Sequence, residues 1–362
     1  MTVRAAAAAV LIPAALACLA GESRQAQRRL LYVASPGIRN YVEYGGVGVL
    51  VFDRDAGYRF VRRIPTLPVK SNEPAENVKG ICASARTGLL HVSTPRRVLC
   101  LSLATERPVW EREFRGGCDR MALSADGRTL YVPSFEGPHW NVVNALDGEV
   151  IARIQPDSGA HNTVCGPDGR FYLAGLRSPL LRVADPRHHE VVREIGPFSA
   201  AIRPFTVSRD YCFVNVNDRL GFEVGDLRTG RVLHRVDVLG CSKGPVKRHG
   251  CPSHGIALTP DGRELWLADA FNRRIHIFDV SRMPPLQVES LSLRDEPGWI
   301  TFSIDGLHAY PSTGEVFETA TRRIVATLRD EEGRDVQSEK MLEVVFRNGR
   351  PVQAGDQFGI AR

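Results

Sequence analysis

Short apolar runs recur along the chain at a near-constant interval, each bounded by polar turn residues. Leu31-Tyr32-Val33, Leu89-Leu90-His91-Val92, Leu130-Tyr131-Val132, Phe171-Tyr172-Leu173, Cys212-Phe213-Val214, Leu265-Trp266-Leu267 and His308-Ala309-Tyr310 occupy one register. From Leu90 onward the matched positions Leu90, Tyr131, Tyr172, Phe213, Trp266 and Ala309 are 41, 41, 41, 53 and 43 residues apart. Asp126-Gly127, Asp168-Gly169, Asp261-Gly262 and Asp305-Gly306 stand just before four of them. Asp-Gly accepts the positive φ that a tight hairpin requires, so each pair predicts a strand on either side. Behind each run comes a further β-patterned run (49–52, 275–278), a polar turn (226–230) and a half-polar run (150–152, 232–234). The unit is therefore four antiparallel strands. One such unit leaves both faces of its sheet exposed, whereas a closed ring of units buries them and leaves only short edges. No long helical pattern with caps interrupts the series, which excludes an α/β reading.

Innermost strands are expected to begin near Lys79, Arg120, His161, Arg203, His254, Trp299 and Lys340. That predicts an all-β, seven-bladed β-propeller of four-stranded antiparallel blades. The last inner run, 342–346, lacks blade strands after it, and the first outer runs, 31–65, lack an inner strand before them. The two fragments complement each other, so the final blade is expected to be closed by strands from both ends of the chain.

Leu130-Tyr131-Val132-Pro133-Ser134, preceded by Ser124-Ala125-Asp126-Gly127-Arg128, resembles the repeat of the YVTN-type seven-bladed β-propellers. The stretch from Leu258 to Trp266 is similar to it as well. Those propellers belong with the quinoprotein amine dehydrogenase β-chain-like superfamily. The resemblance covers nearly all of 30–346 and implies the propeller fold. It carries no catalytic set to transfer, because propellers of this kind serve as enzymes, surface proteins and binders.

In a propeller, the loops entering the innermost strands and the loops between second and third strands share one face, and the Asp-Gly hairpins lie on the other. The seven entrances are 41, 41, 42, 51, 45 and 41 residues apart, and six of them carry Lys, Arg or His. Like charges gathered at a narrow mouth repel unless acids or an anionic ligand offset them. Two readings follow. In one, the cations pair with Glu76, Asp119, Glu296 and Glu339 as struts between blades. In the other, Lys79, Arg120, His161, Arg203, His254, Trp299 and Lys340 form a mouth for an anion. There Arg binds bidentately, His donates or exchanges a proton, and Trp299 stacks on a ring or sugar face. Glu136 and His139, Asp269, and Glu315 hold the neighbouring loop positions and are expected to add a second tier.

The function this predicts is an exported binding protein that recognises an anionic small molecule, a glycan or another exported protein. The alternative is a lactonase-like hydrolase or lyase, with His161 or His254 as general base and Arg120 or Arg203 holding a carboxylate or oxyanion. No G-x-S-x-G, H-E-x-x-H or dinucleotide fingerprint is present to decide between them. His161, His254 and His139, with Glu136 or Glu315, offer donor atoms for a metal. They come from separate blades and have Lys and Arg nearby, so neither metal nor cofactor is expected.

Composition narrows the setting. Lys and Arg number 47 against 41 Asp and Glu, a net charge of +6 dispersed along the 362 residues, with no basic tract that would suit nucleic acid. An apolar share of 43% is enough for a packed core and excludes global disorder. Residues 1–20, with Arg4 ahead of an uncharged stretch, read as a secretory signal, 21–29 as a linker and 30–362 as a single propeller domain. A membrane anchor and lipidation at Cys18 are the alternatives at that end, and no second apolar run is long enough to span a bilayer. Cys241 and Cys251 flank the basic stretch 242–250. In an oxidising compartment they are the pair expected to form a disulfide, the bland alternative being two free thiols.

Overall fold

The computed structural model describes residues 27–66 and 74–361. The expected signal, the linker up to Ala26 and Cys18 lie outside the described residues. Six four-stranded antiparallel sheets occupy 80–113, 122–154, 160–195, 202–237, 256–292 and 300–327, and a seventh, five-stranded sheet closes the ring. Helix among the described residues is confined to two 3₁₀ turns, Val42–Tyr44 and Arg54–Ala56. None is long and apolar enough to cross a membrane.

The apolar pattern explains the burial. Second strands such as Leu89–Ser93 and Phe171–Gly175 are buried throughout because both their faces meet neighbouring blades. Outermost strands such as Val232–Asp237 alternate half-buried with exposed positions. The aromatic residue of the repeat packs between blades. Tyr131 stacks on Phe171 at 3.6 Å, and Trp266 meets Phe302 edge-on at 5.4 Å.

Closure follows the expected pairing of the two chain ends. Gln27–Ser35 (β1) runs antiparallel to Met341–Arg347 (β28), with Leu31 opposite Glu343 and Val33 opposite Met341. The sequence pattern ends there, and the structure adds a strand. Arg350–Ala354 (β29) pairs on the other side of β28, giving the order β29-β28-β1-β2-β3, where β2 is Gly48–Asp53 and β3 is Arg59–Ile64. Asn348 and Gly349, with φ of 51° and 75°, make the connecting turn. The chain then enters the centre of the ring. Phe302 N donates to Phe358 O at 3.0 Å, and Gln357 Nε2 donates to Thr163 O at 2.8 Å. Gln357 O accepts from Trp299 Nε1 at 3.1 Å and from Thr301 Oγ1 at 3.0 Å. The C-terminal segment thereby joins inner strands from separate blades and plugs the channel beneath the mouth.

Candidate functional site

The mouth above this plug is a cup of about 220 Å³. Six of the seven predicted entrance residues line it: Lys79, Arg120, His161, Arg203, His254 and Lys340. The seventh, Trp299, is 2% exposed and lies beneath the cup. The Arg120 guanidinium sits 3.5 Å above the Trp299 ring, which also stacks on Phe358. Trp299 therefore supports an arginine and is not open to stack on a sugar.

Two ion networks organise the wall. In the first, Asp119, 1% exposed, accepts from His161 Nδ1 at 2.6 Å, from Lys79 Nζ at 3.2 Å and from the Arg120 backbone N–H at 3.0 Å. Burial pushes the Asp119 carboxyl up, but the charges of His161 and Lys79 outweigh it and hold the group below its ordinary value. His161 Nε2 is left to the cup, with no hydrogen bond among the described residues. In the second network, Glu339 meets Lys340 Nζ at 2.7 Å, His249 Nδ1 at 3.1 Å and Arg120 at 3.6 Å. Burial raises Glu339, and the charges of Lys340, His249, His254 and Arg120 more than reverse that, leaving it well below its usual range. Burial brings Lys340 down to about 8 against the pull of Glu339, and Arg120 down to about 10. Struts through Asp119 and Glu339 thus coexist with an open mouth, whereas Glu76, expected as a partner of the ring cations, pairs with Arg96 and Arg97, and no ion pair reaches Glu296 among the described residues.

The two networks leave positive charge over. Arg39, Lys79, Arg120, Arg203, Arg248 and Lys340 line the cup against three carboxylates, those of Asp119, Glu136 and Glu339. Arg248 is taken by Asp295 at 2.7 Å and the Tyr44 hydroxyl at 2.6 Å. Arg203 bonds only neutral groups, Asn217 Oδ1 at 2.5 Å and Gly250 O at 3.2 Å, and Arg39 bonds the Arg248 carbonyl at 3.1 Å. Neither Arg203 nor Arg39 has a carboxylate partner among the described residues.

Several expected residues do other work. Glu136 reaches the cup from a left-handed conformation (φ 53°) that turns its loop inward. His139 does not line it: the ring is buried beside Gly116, and burial and the Arg153 charge lower its pKa. Asp269 accepts from the Asn272 backbone N–H and from His276 and so holds its own loop, while Glu315 accepts from the Arg294 backbone N–H and holds the segment that enters its blade. The expected Cys241–Cys251 disulfide is not formed, and both thiols are free. Cys251 is buried and donates to Ser253 O at 3.0 Å, while Cys241 faces Asp269 and His276.

Four cup or floor residues escaped the sequence reading. Arg248 and His249 come from the basic stretch 242–250, which lengthens the Arg203-to-His254 interval to 51 residues and sits in the mouth-face register. That position, more than its flanking cysteines, was the signal. Arg39 comes from the loop after β1. Gln357 contacts Arg120 from below at 3.4 Å, and the Asn348-Gly349 hairpin signal pointed to its segment.

No family model matches the chain, and no curated protein matches it either. Among solved structures, the chain is similar to one described as the dihydro-heme d1 dehydrogenase NirN in complex with DHE. The TM-score is 0.61 at 16% identity, covering 90% of this chain and 72% of that one. At that identity the likeness shows the propeller fold.

Proposed function

We propose that the protein binds a small anionic molecule, carrying a carboxylate, sulfate or phosphate group, in the cup at the ring mouth, and that it does so as an exported protein. The observation that supports this is the surplus of cations around one cavity, with Arg39 and Arg203 facing no carboxylate among the described residues. A guanidinium held in place by neutral acceptors is pre-organised for an incoming oxyanion. The cup is smaller than the roughly 300–1,000 Å³ of sites for drug-sized ligands, which favours a small acid over a glycan chain. The similar propeller NirN is a complex with DHE, which supports small-molecule binding on this fold.

Calorimetric titration with a panel of small carboxylates, sulfate and phosphate tests the proposal. Affinity is expected to fall as salt rises, because the surplus charge is partly exposed. Arg203→Ala is expected to weaken binding by about 10–100-fold, the worth of one charge-assisted hydrogen bond, with the fold intact. Arg203→Ala binding as tightly as the parent would refute the reading. Arg120 is unsuited to the same test, since it is buried on Trp299 and its removal disturbs the floor of the cup.

A second reading, a hydrolase or lyase, is favoured by the Asp119–His161 pair. A carboxylate fixing Nδ1 leaves Nε2 to exchange a proton with a bound acid. His161→Gln separates the two. It would abolish turnover in an enzyme, but only modestly change affinity in a binding protein.

A further inference from the structure

On the Glu339 side of the cup, His249, His254 and Glu339 each bring a donor atom to within 4.8 Å of the other two. They come from the inserted stretch, from the entrance to the fifth blade and from the entrance to β28. We propose that this cluster is a binding site for a first-row divalent metal of the zinc type, held by two imidazoles and one carboxylate, with its remaining coordination positions facing the cup.

The hydrogen bonds around the cluster prepare each group as a ligand. His254 Nδ1 donates to Gly298 O at 2.9 Å, which places the lone pair on Nε2. Ligating histidines characteristically have their other nitrogen fixed in this way. The His249 side chain is 4% exposed and its Nε2 has no hydrogen-bond partner, while Nδ1 lies 3.1 Å from Glu339 Oε1. Its ring stacks on that of His254, with centroids 4.7 Å apart. Lys340 and Arg120 both address Glu339 through Oε2, leaving Oε1 to the cluster. The backbone at Gly298 permits the convergence. A Cβ there would lie 2.2 Å from both Glu339 Oε1 and His249 Cε1, and 2.4 Å from His249 Nε2. Buried Glu296 adds negative charge that reaches His249, and its Oε2 also lacks a partner. An orphaned imidazole nitrogen at such a buried spot is what an ion or ordered water accounts for.

A second grouping shows the contrast. Cys241, Asp269 and His276 also cluster, but there His276 bonds Ser290 Oγ at 2.8 Å and Asp269 Oδ2 at 3.1 Å, and Asp269 is further held by Asn272. Its imidazole and carboxylate are satisfied by their neighbours. The sequence argument against a metal was the nearby Lys and Arg. In the structure Lys340 and Arg120 are directed at the far oxygen of the same carboxylate, and two imidazoles plus a carboxylate is a donor set that suits zinc-like ions with an open position.

The site stands on its own ligands and not on the anion reading, so the two fail separately. Chelator-treated protein is titrated with Co²⁺ alone, following its visible absorption, and Zn²⁺ is then used to displace it. One Co²⁺ per chain is expected, with a spectrum of low coordination number. His249→Ala and His254→Ala should each weaken binding by at least the roughly 10–100-fold that a mere supporting contact is worth. His188→Ala, on an exposed turn, should change nothing. Thermal melts check folding, and Glu339→Gln supplies a near-isosteric variant should an alanine variant not fold. Absence of saturation up to about 1 mM Co²⁺, or parent-like affinity in both histidine variants, overturns the proposal. Phosphate titration in chelator tests the anion reading alone.

Discussion

The two faces of the ring are built by different rules. On the hairpin face the same local solution recurs. Ser124 Oγ, Thr259 Oγ1 and Ser303 Oγ donate to Asp126, Asp261 and Asp305 two residues on, at 2.6, 2.6 and 2.7 Å. Each Asp then accepts a backbone N–H two residues further, at 3.0 to 3.1 Å, around a glycine with φ of 70–75°. On the mouth face a residue class recurs, but no local arrangement recurs with it, and some members reach far along the chain. Arg120 reaches Glu339 and Gln357, 219 and 237 residues away, and Lys340 reaches Gly37 across 303. Repetition with local contacts makes scaffold, and repetition whose contacts diverge makes a single asymmetric site.

The largest expected effect tests an exception on the hairpin side. Arg54 joins Asp305 at 2.8 Å and the fully buried Glu343 at 2.9 Å, tying the closing blade to its neighbour. Arg54→Met leaves the Glu343 carboxylate buried and unpaired, and should lower unfolding free energy in urea by about 3–5 kcal/mol. A loss below about 1 kcal/mol would show that closure does not depend on this long-range pair.

An inter-blade contact also makes stability depend on pH. His91 is fully buried, with Nε2 on Ala145 O of the next blade at 2.9 Å, and burial pushes it down to about 4 from 6.5. The unfolded chain takes up this proton first. The contribution is therefore complete above about pH 6.5 and lost as pH falls toward 4, by roughly 3 kcal/mol in all. Urea midpoints across that range should fall less steeply in His91→Gln, and parallel curves for the two proteins would remove His91 as a cause.

Within the mouth, Arg120 and Arg203 should separate. Arg120→Ala exposes Glu339 to partial loss of its pairing and removes the stack on Trp299, and is expected to cost about 1–3 kcal/mol. Arg203→Ala should stay within about 0.5 kcal/mol of the parent. Equal losses would mean that the cup is uniformly structural. On the hairpin face, Asp126→Ala removes one local arrangement and should cost about 0.5–1.5 kcal/mol. Its neighbours in the ring should be unaffected in hydrogen exchange.

The same division explains what the sequence made legible. Asp-Gly turns, strand periodicity and the complementary terminal runs act over a few residues or through a fixed repeat, so blade number, order and closure could be read directly. The register also placed six of the seven entrance residues in one cup, since a propeller converts register into radius. Partners did not follow. Trp299 occupies an entrance position but is buried because Phe358, which lies outside the repeat, packs on it. Arg248 and His249 enter through an insertion whose path no periodicity fixes. Cys241 and Cys251 are ten residues apart, yet the inserted loop sends one sulfur toward Asp269 and the other inward to Ser253.

The pairing of β1 with β28 also sets a timetable for the molecule. The partner of β1 is made some 310 positions later, in the register that joins Leu31 to Glu343. At about 5–20 residues per second of synthesis, β1 waits on the order of tens of seconds for it. Through that interval its backbone edge is open to any other strand, and neither the cup nor its floor exists. A ribosome that stalls or terminates early therefore releases a chain with most blades written but no ring and no site, and quality control meets it as an unsealed edge.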